Sequence, residues 1–123
     1  MQFDLADIVG WYPVIEFKVG EQEFDFRNFT VTEIREGATL EVSLLSETHT
    51  LLIQFIGAKI IEDNGTTAEA AKGRWLLDIS RPDAFDLDSG LDVLTFSLDF
   101  AEIEGWVISC KEAIAELHLR DRG

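Results

Sequence analysis

The sequence predicts an all-β fold: one domain, a sandwich or flattened barrel of about eight mainly antiparallel strands. Apolar and polar residues alternate in most of the apolar segments, which is the period of a half-buried strand. Turn-forming residues separate these segments at intervals of about 8 to 12 residues, the spacing of sandwiches and barrels rather than of parallel α/β sheets. Phe, Ile, Val and Thr, which favour strands, are enriched in the same segments.

The alternation places the predicted strands in chain order. The segments with apolar alternate residues are 23–27, 40–44, 48–55, 74–80, 94–100 and 106–110. In the fourth of them, Trp75, Leu77 and Ile79 share the face predicted to be buried. Turn signals lie between the strands at 36–37, 63–65, 88–90 and 104–105.

Two segments allow a helical interpretation. Residues 66–72 predict a short helix, because Thr66 and Glu69 have the spacing of a capping box and Gly73 stands where such a helix would end. A plain loop is the alternative there. Residues 111–119 are rich in Ala and Glu, which favours a helix, but their apolar residues alternate, and we predict a final strand.

Charge limits the classes of partner. The 123 residues carry 24 Asp and Glu against 10 Lys and Arg, a formal net charge of −14, yet 46% are hydrophobic, so the chain should fold. No linker divides it, which predicts a single domain over 1–123. A surface of this charge repels nucleic-acid phosphates and anionic membranes, and it attracts a basic protein partner. The alternative is that acidity only keeps the protein soluble.

The acidic residues are concentrated in the interval 82–110, which has no Lys or Arg. Its seven acids are Asp83, Asp86, Asp88, Asp92, Asp99, Glu102 and Glu104. We predict that they bind the partner, with Trp106 or Trp11 contributing if either ring is exposed, since aromatic residues dominate many interfaces. An ordinary solvated face is the alternative. Unpaired sheet edges would also allow a homo-oligomer.

Metal and cofactor sites are not predicted. Residues 86–92 contain the residue types of a calcium loop, but the glycine is fifth instead of sixth, and Ser97 stands where a closing glutamate belongs. The chain therefore predicts no metal and no cofactor, with a polar turn in this segment.

An enzyme is not predicted either. Cys110 and His118, the obvious nucleophile and base, would be about 26 Å apart on one strand. Cys110 shares a face with apolar residues and is expected to be buried, while His49 and His118 are expected at the surface or at strand ends. Sequence signatures of zinc proteases, serine hydrolases, CxxC redox sites and phosphate-binding loops are absent.

Several short motifs resemble a family of known proteins. Residues 10–13 (Gly-Trp-Tyr-Pro) before 16–19 (Glu-Phe-Lys-Val) resemble a Trp/Pro opening ahead of a first strand. The segments 39–46 and 48–56, followed by Gly-Ala-Lys, are similar to paired strands that end in a glycine turn. Residues 105–111 are similar to a late glycine-then-strand element with a cysteine. The chain thereby resembles small acidic β-rich bacterial proteins that include immunity proteins of polymorphic toxin systems.

The resemblance implies a non-enzymatic cytoplasmic inhibitor that binds a cognate bacterial toxin and blocks its active site or substrate surface. The acidity of the chain predicts that this toxin is basic. The first seven residues hold two acids and no base, unlike a secretory signal, which agrees with the cytoplasm. Two other functions stay open on the residues alone. One is a small barrel or sandwich that binds a hydrophobic small molecule, and the other is a structural subunit of a larger assembly.

Overall fold

The computed structural model describes residues 1–9, 14–81 and 94–120, and its architecture is all-β, which confirms the predicted fold class. These ranges contain β1 (Gln2–Asp4), β2 (Glu16–Val19), β3 (Gln22–Asp25), β4 (Thr30–Arg35), β5 (Thr39–Leu45), β6 (His49–Ile56), β7 (Lys59–Glu62), β8 (Leu76–Ser80), β9 (Leu94–Phe100), β10 (Ile103–Cys110) and β11 (Glu112–Leu119). The count is eleven where about eight were expected, because strands such as β1, β2 and β7 are too short to show alternation in the sequence.

The strands form two layers and a small hairpin. One antiparallel sheet has the order β1-β11-β6-β5-β4, a second has the order β7-β10-β9-β8, and β2 pairs only with β3. Phe55 of the first sheet and Phe96 of the second meet in the core, with ring centroids 5.6 Å apart. The described sheets do not close into a barrel, so the fold is the sandwich form of the prediction.

The predicted alternation corresponds to burial in most strands. In the central strands the inward residues are almost fully buried: Leu40, Val42, Leu44, Leu51, Ile53, Phe55, Phe96, Leu98, Phe100, Trp106, Ile108, Cys110, Ala113, Ala115 and Leu117. Residues 111–119 form the predicted final strand, β11, which lies between β1 and β6. The strands β1, β11, β6 and β5 pair antiparallel without a register shift, so their outward residues form continuous rows across these four strands.

The faces of β8 differ from the prediction. Trp75 and Leu77, expected in the core with Ile79, are 45% and 38% exposed, whereas Leu76 is buried. The pairing of β8 with β9 shifts register between Leu76 and Asp78. Such a bulge changes which side chains face inward, and strict alternation cannot anticipate it.

The short helix predicted near 66–72 is confirmed as α1 (Ala68–Ala71). Its N-cap is Thr67, whose hydroxyl accepts from the Ala70 amide at 3.1 Å, one residue later than the predicted capping box. Thr66 instead donates to the Glu104 carbonyl and ties this loop to β10. Within the described ranges, no helix is long and apolar enough to cross a membrane.

Candidate functional site

The predicted acidic interval is only partly described by the structure. Asp83, Asp86, Asp88 and Asp92 lie outside the described residues, as do Trp11 and the polar turn predicted over 86–92. The other three acids lie on the β9–β10 hairpin: Asp99, Glu102 and Glu104. Glu104 is exposed, and Glu102 forms an ion pair with Arg74 at 3.2 Å, so part of this charge is compensated.

Trp106 is buried, so the condition on which it was predicted to contribute to binding, an exposed ring, is not met. Its side chain is 1% exposed and packs edge-on against Phe100, with centroids 5.2 Å apart. The indole Nε1 donates to the Thr66 carbonyl at 3.0 Å. Since β10 directs Trp106 inward and its only polar atom is bonded, the residue belongs to the core.

A different group of acids lines a concave feature among the described residues. A cleft of about 750 Å³ opens between the β2–β3 hairpin and the β5–β6 turn. Its lining comprises Glu16, Gln22, Glu23, Phe24, Asp25, Arg27, Asn28, Phe29, Ser46, Glu47 and Thr48. We call this feature the acidic cleft. Its volume is within the range of about 300 to 1,000 Å³ that ligand-binding clefts occupy.

Aromatic packing holds the hairpin wall of the acidic cleft in place. Phe17 of β2 stacks on Phe24 of β3, with centroids 5.2 Å apart, and its ring also lies 4.5 Å from that of Phe26. Phe29 and Phe3 each lie 6.2 Å from Phe17. An isolated two-stranded hairpin is marginally stable in water, so this cluster is what fixes it against the sandwich.

Asp25 and Arg27 form the rim of the hairpin wall. The Asp25 carboxylate caps a 3-10 helix (Phe26–Asn28) by accepting from the Arg27 amide at 2.8 Å. The Arg27 guanidinium donates to both Asp25 oxygens, at 3.0 and 2.7 Å. Hydrogen bonding from Arg27 lowers the pKa of Asp25 from its ordinary value. Arg27, the one basic residue among the described lining residues, is therefore already engaged by Asp25.

The remaining acids give the cleft its net negative charge. Glu16, Glu23 and Glu47 are exposed, and with the Asp25–Arg27 pair the lining carries four carboxylates against one guanidinium. Phe24 is partly exposed and supplies an apolar surface beside them. Carboxylates next to an aromatic ring are the groups that bind an ammonium or a guanidinium. The arrangement is suited to accept a lysine or arginine side chain.

The opposite wall is organised around His49. Its imidazole is 6% exposed, contrary to the expectation of a surface residue, although His49 does begin β6. The ring packs edge-on against Phe24, with centroids 4.9 Å apart, and Nδ1 lies 2.7 Å from the Thr48 hydroxyl. The Ser46 hydroxyl accepts from the His49 amide at 2.9 Å and so closes the β5–β6 turn. His49 therefore joins the two walls.

A pair of carboxyl groups that the sequence did not reveal lies on the four-stranded sheet. Asp78 of β8 and Asp99 of β9 are directly opposite in the register. Burial, and then hydrogen bonding and charge from Asp99, raise the pKa of Asp78 to about 6. Sequence reasoning placed Asp99 among solvent-facing acids, and only the cross-strand register shows its acidic neighbour.

The other groups considered for chemistry are not among the residues that line the acidic cleft. Cys110 is buried, as expected, and burial raises the pKa of its thiol to about 11. His118 is exposed on β11. In the part of the chain that the structure describes, no group of three or more His, Cys, Asp or Glu side chains is placed to hold a metal ion.

Comparison with known proteins identifies no relative of this chain: no family model, no curated protein and no solved structure matches it.

Proposed function

We propose that this chain is a non-enzymatic binding protein whose partner is a basic protein. The observation that carries the proposal is the acidic cleft, where exposed carboxylates line a concave surface beside a partly exposed phenylalanine. The net charge of −14 also favours a basic partner, because it attracts such a protein toward the chain and repels acidic competitors. The mostly polar lining offers little to a hydrophobic small molecule.

The partner we propose is a bacterial toxin, which would make the chain an immunity protein of the cytoplasm. The support for this step is the resemblance of the motifs at 10–19, 39–59 and 105–111. An acidic inhibitor suits a toxin that acts on nucleic acid, because carboxylates can occupy the positions that the toxin uses for phosphates. The acids of 82–104 would then extend the contact beyond the cleft.

Charge reversal tests the role of the acidic cleft. The probe is a synthetic lysine-rich peptide, titrated calorimetrically at about 50 and about 200 mM salt, where screening differs. We expect the double variant Glu23→Lys/Glu47→Lys to lose most of the affinity. The control Glu62→Lys/Glu69→Lys changes net charge equally at exposed positions outside the cleft lining. Equal losses in both variants would show that only net charge matters and would refute the cleft as the site.

Co-expression tests the proposal that the partner is a bacterial toxin. A toxin encoded beside this chain should arrest growth when expressed alone, and this chain should restore it. In the same assay, Asp86→Lys/Asp88→Lys/Asp92→Lys tests the predicted acidic segment, since unaltered protection would exclude that segment from the interface. Growth arrest that persists in the presence of the wild-type chain would contradict the immunity function.

A further inference from the structure

The outward face of the five-stranded sheet carries an apolar centre. Leu52 and Ile56 of β6 and Ile114 of β11 are partly exposed on this face. Ile114 is directly opposite Gln54, which lies between Leu52 and Ile56 in the alternation of β6, so the three side chains form one triangle. We call these three residues the apolar triangle.

Each member of the apolar triangle has a carboxylate directly opposite it on a neighbouring strand. Glu112 is opposite Ile56, Glu116 is opposite Leu52, and Asp4 of β1 is opposite Ile114. A fourth acid, Glu41, is opposite Gln54 and accepts from its amide at 3.2 Å. The apolar triangle is thus surrounded by acids on three strands of the sheet, β1, β11 and β5.

The basic residues near this face lie at its margins. Arg35 of edge strand β4 is opposite Glu41, and its guanidinium is bound to Glu33 at 3.0 Å. Lys111 stands at the turn between β10 and β11, where its side chain lies over Gly57. The centre of the face therefore combines apolar side chains with negative charge, which is the arrangement of an interface core and its polar rim.

We infer that this face docks a basic protein that presents an apolar side chain within a ring of lysine or arginine residues; the inference rests on the proposed function. Charge complementarity selects this occupant. A second copy of the chain would oppose the same four acids across the contact, and like charges in that position are destabilising. The acidic segment 82–93 of this chain would likewise be repelled by the four acids if it were to occupy the face.

The face also adjoins the acidic cleft. Leu45 of β5 and Thr50 of β6 are paired at the end of the sheet, and the cleft-lining residues Ser46, Glu47 and Thr48 follow directly. From Thr50 to Ile56 the strand extends about 20 Å, which a single protein partner can span. One partner could therefore contact the cleft with a cationic side chain and the apolar triangle with an apolar one.

Two peptide probes separate the apolar contact from simple attraction of charge. They have equal length and equal numbers of lysines, which are separated by leucines in one peptide and by serines in the other. We expect the leucine peptide to bind the wild-type chain about tenfold more tightly. The variant Leu52→Thr/Ile114→Thr should remove this preference. The control Ile61→Thr/Leu77→Thr, which alters residues that are 54% and 38% exposed elsewhere, should keep it.

Equal affinities of the two peptides for the wild-type chain would overturn this inference and leave the proposed function standing. Failure of both peptides to bind would count against the proposed function itself. Amide chemical shifts of the wild-type chain provide a readout that needs no variant: the leucine peptide should move Leu52, Ile56 and Ile114, and shifts confined to the cleft would refute the docking face. A wild-type dimer that Leu52→Thr/Ile114→Thr makes monomeric would identify a second copy as the occupant and likewise refute it.

Discussion

Asp78 and Asp99 lie directly opposite each other on neighbouring strands, and burial, together with hydrogen bonding and charge from Asp99, raises the pKa of Asp78 to about 6. The folded chain therefore binds a proton at Asp78 more tightly than the unfolded chain does, whose carboxyl has its ordinary pKa of 3.8. Between pH 3.8 and about 6, stability falls as pH rises, and above that range the full cost of ionising Asp78 is present.

Asp78→Asn should remove this cost while keeping a donor for Asp99. At pH 7.5 we expect the variant to be more stable than the wild type by about 1 to 2 kcal/mol, allowing for solvent screening. Near pH 4 the difference should disappear. Urea unfolding across this range measures the effect, with the exposed Glu104→Gln as control. A difference in unfolding free energy between variant and wild type that is the same at all pH values would contradict the raised pKa of Asp78.

Among the glycines that the structure describes, Gly105 is the one at which an added methyl group should destabilise the fold most. A Cβ built there would overlap the Leu98 carbonyl oxygen and lie 2.8 Å from the Asp99 Cα. Backbone of the paired strand cannot yield at that distance, so Gly105→Ala should cost more than about 3 kcal/mol of unfolding free energy or prevent folding.

Gly37→Ala is the matched control, because its nearest contact would be the Thr39 carbonyl oxygen at 3.7 Å. It should shift stability by less than about 1 kcal/mol. Urea denaturation compares the two variants, and a Gly105→Ala midpoint equal to that of the wild type would be incompatible with the close approach of β9 and β10.

The two tryptophans at 75 and 106 should respond differently to replacement by phenylalanine. Trp106→Phe replaces the buried indole with a smaller ring and leaves the Thr66 carbonyl without the indole donor. The free energy of unfolding should fall by about 1 to 3 kcal/mol. Trp75→Phe alters a side chain that is 45% exposed and should change stability by less than about 0.5 kcal/mol. Thermal unfolding of both variants checks this order, and similar losses would mean that Trp106 is not a core residue.

Much of the fold follows from local sequence, whereas the candidate site does not. Alternation placed Leu40, Phe55 and Phe96 correctly in the core because strand faces depend only on near neighbours. Alternation wrongly predicted that Trp75 and Leu77 are buried, because a bulge in β8 changes which of its side chains face the core. Bulges depend on the partner strand, which a single sequence does not reveal.

The density of acidic residues in the sequence predicts a binding site over 82–104. The acidic cleft, in contrast, is lined by acids that are far apart in the chain. Glu16 and Glu23 come from the hairpin and Glu47 from the β5–β6 turn. The packing of Phe24 against His49 brings these segments together. The apolar triangle requires register as well, because Ile114 and Leu52 become neighbours only when β11 pairs with β6.

The position of β11 has a consequence for how the chain reaches its native state. The Met1 ammonium donates to the carbonyl of Leu117, a partner 116 residues away, at 2.9 Å. The larger sheet is completed only when β11 pairs with both β1 and β6. Because β1 and β11 are far apart in the sequence, the entropic cost of closing a long loop must be met before these two strands can pair. Folding should accordingly be slow for a small domain, on the order of milliseconds to seconds. Until β11 is in place, β6 presents an open edge to other chains, and dilute conditions would favour recovery on refolding.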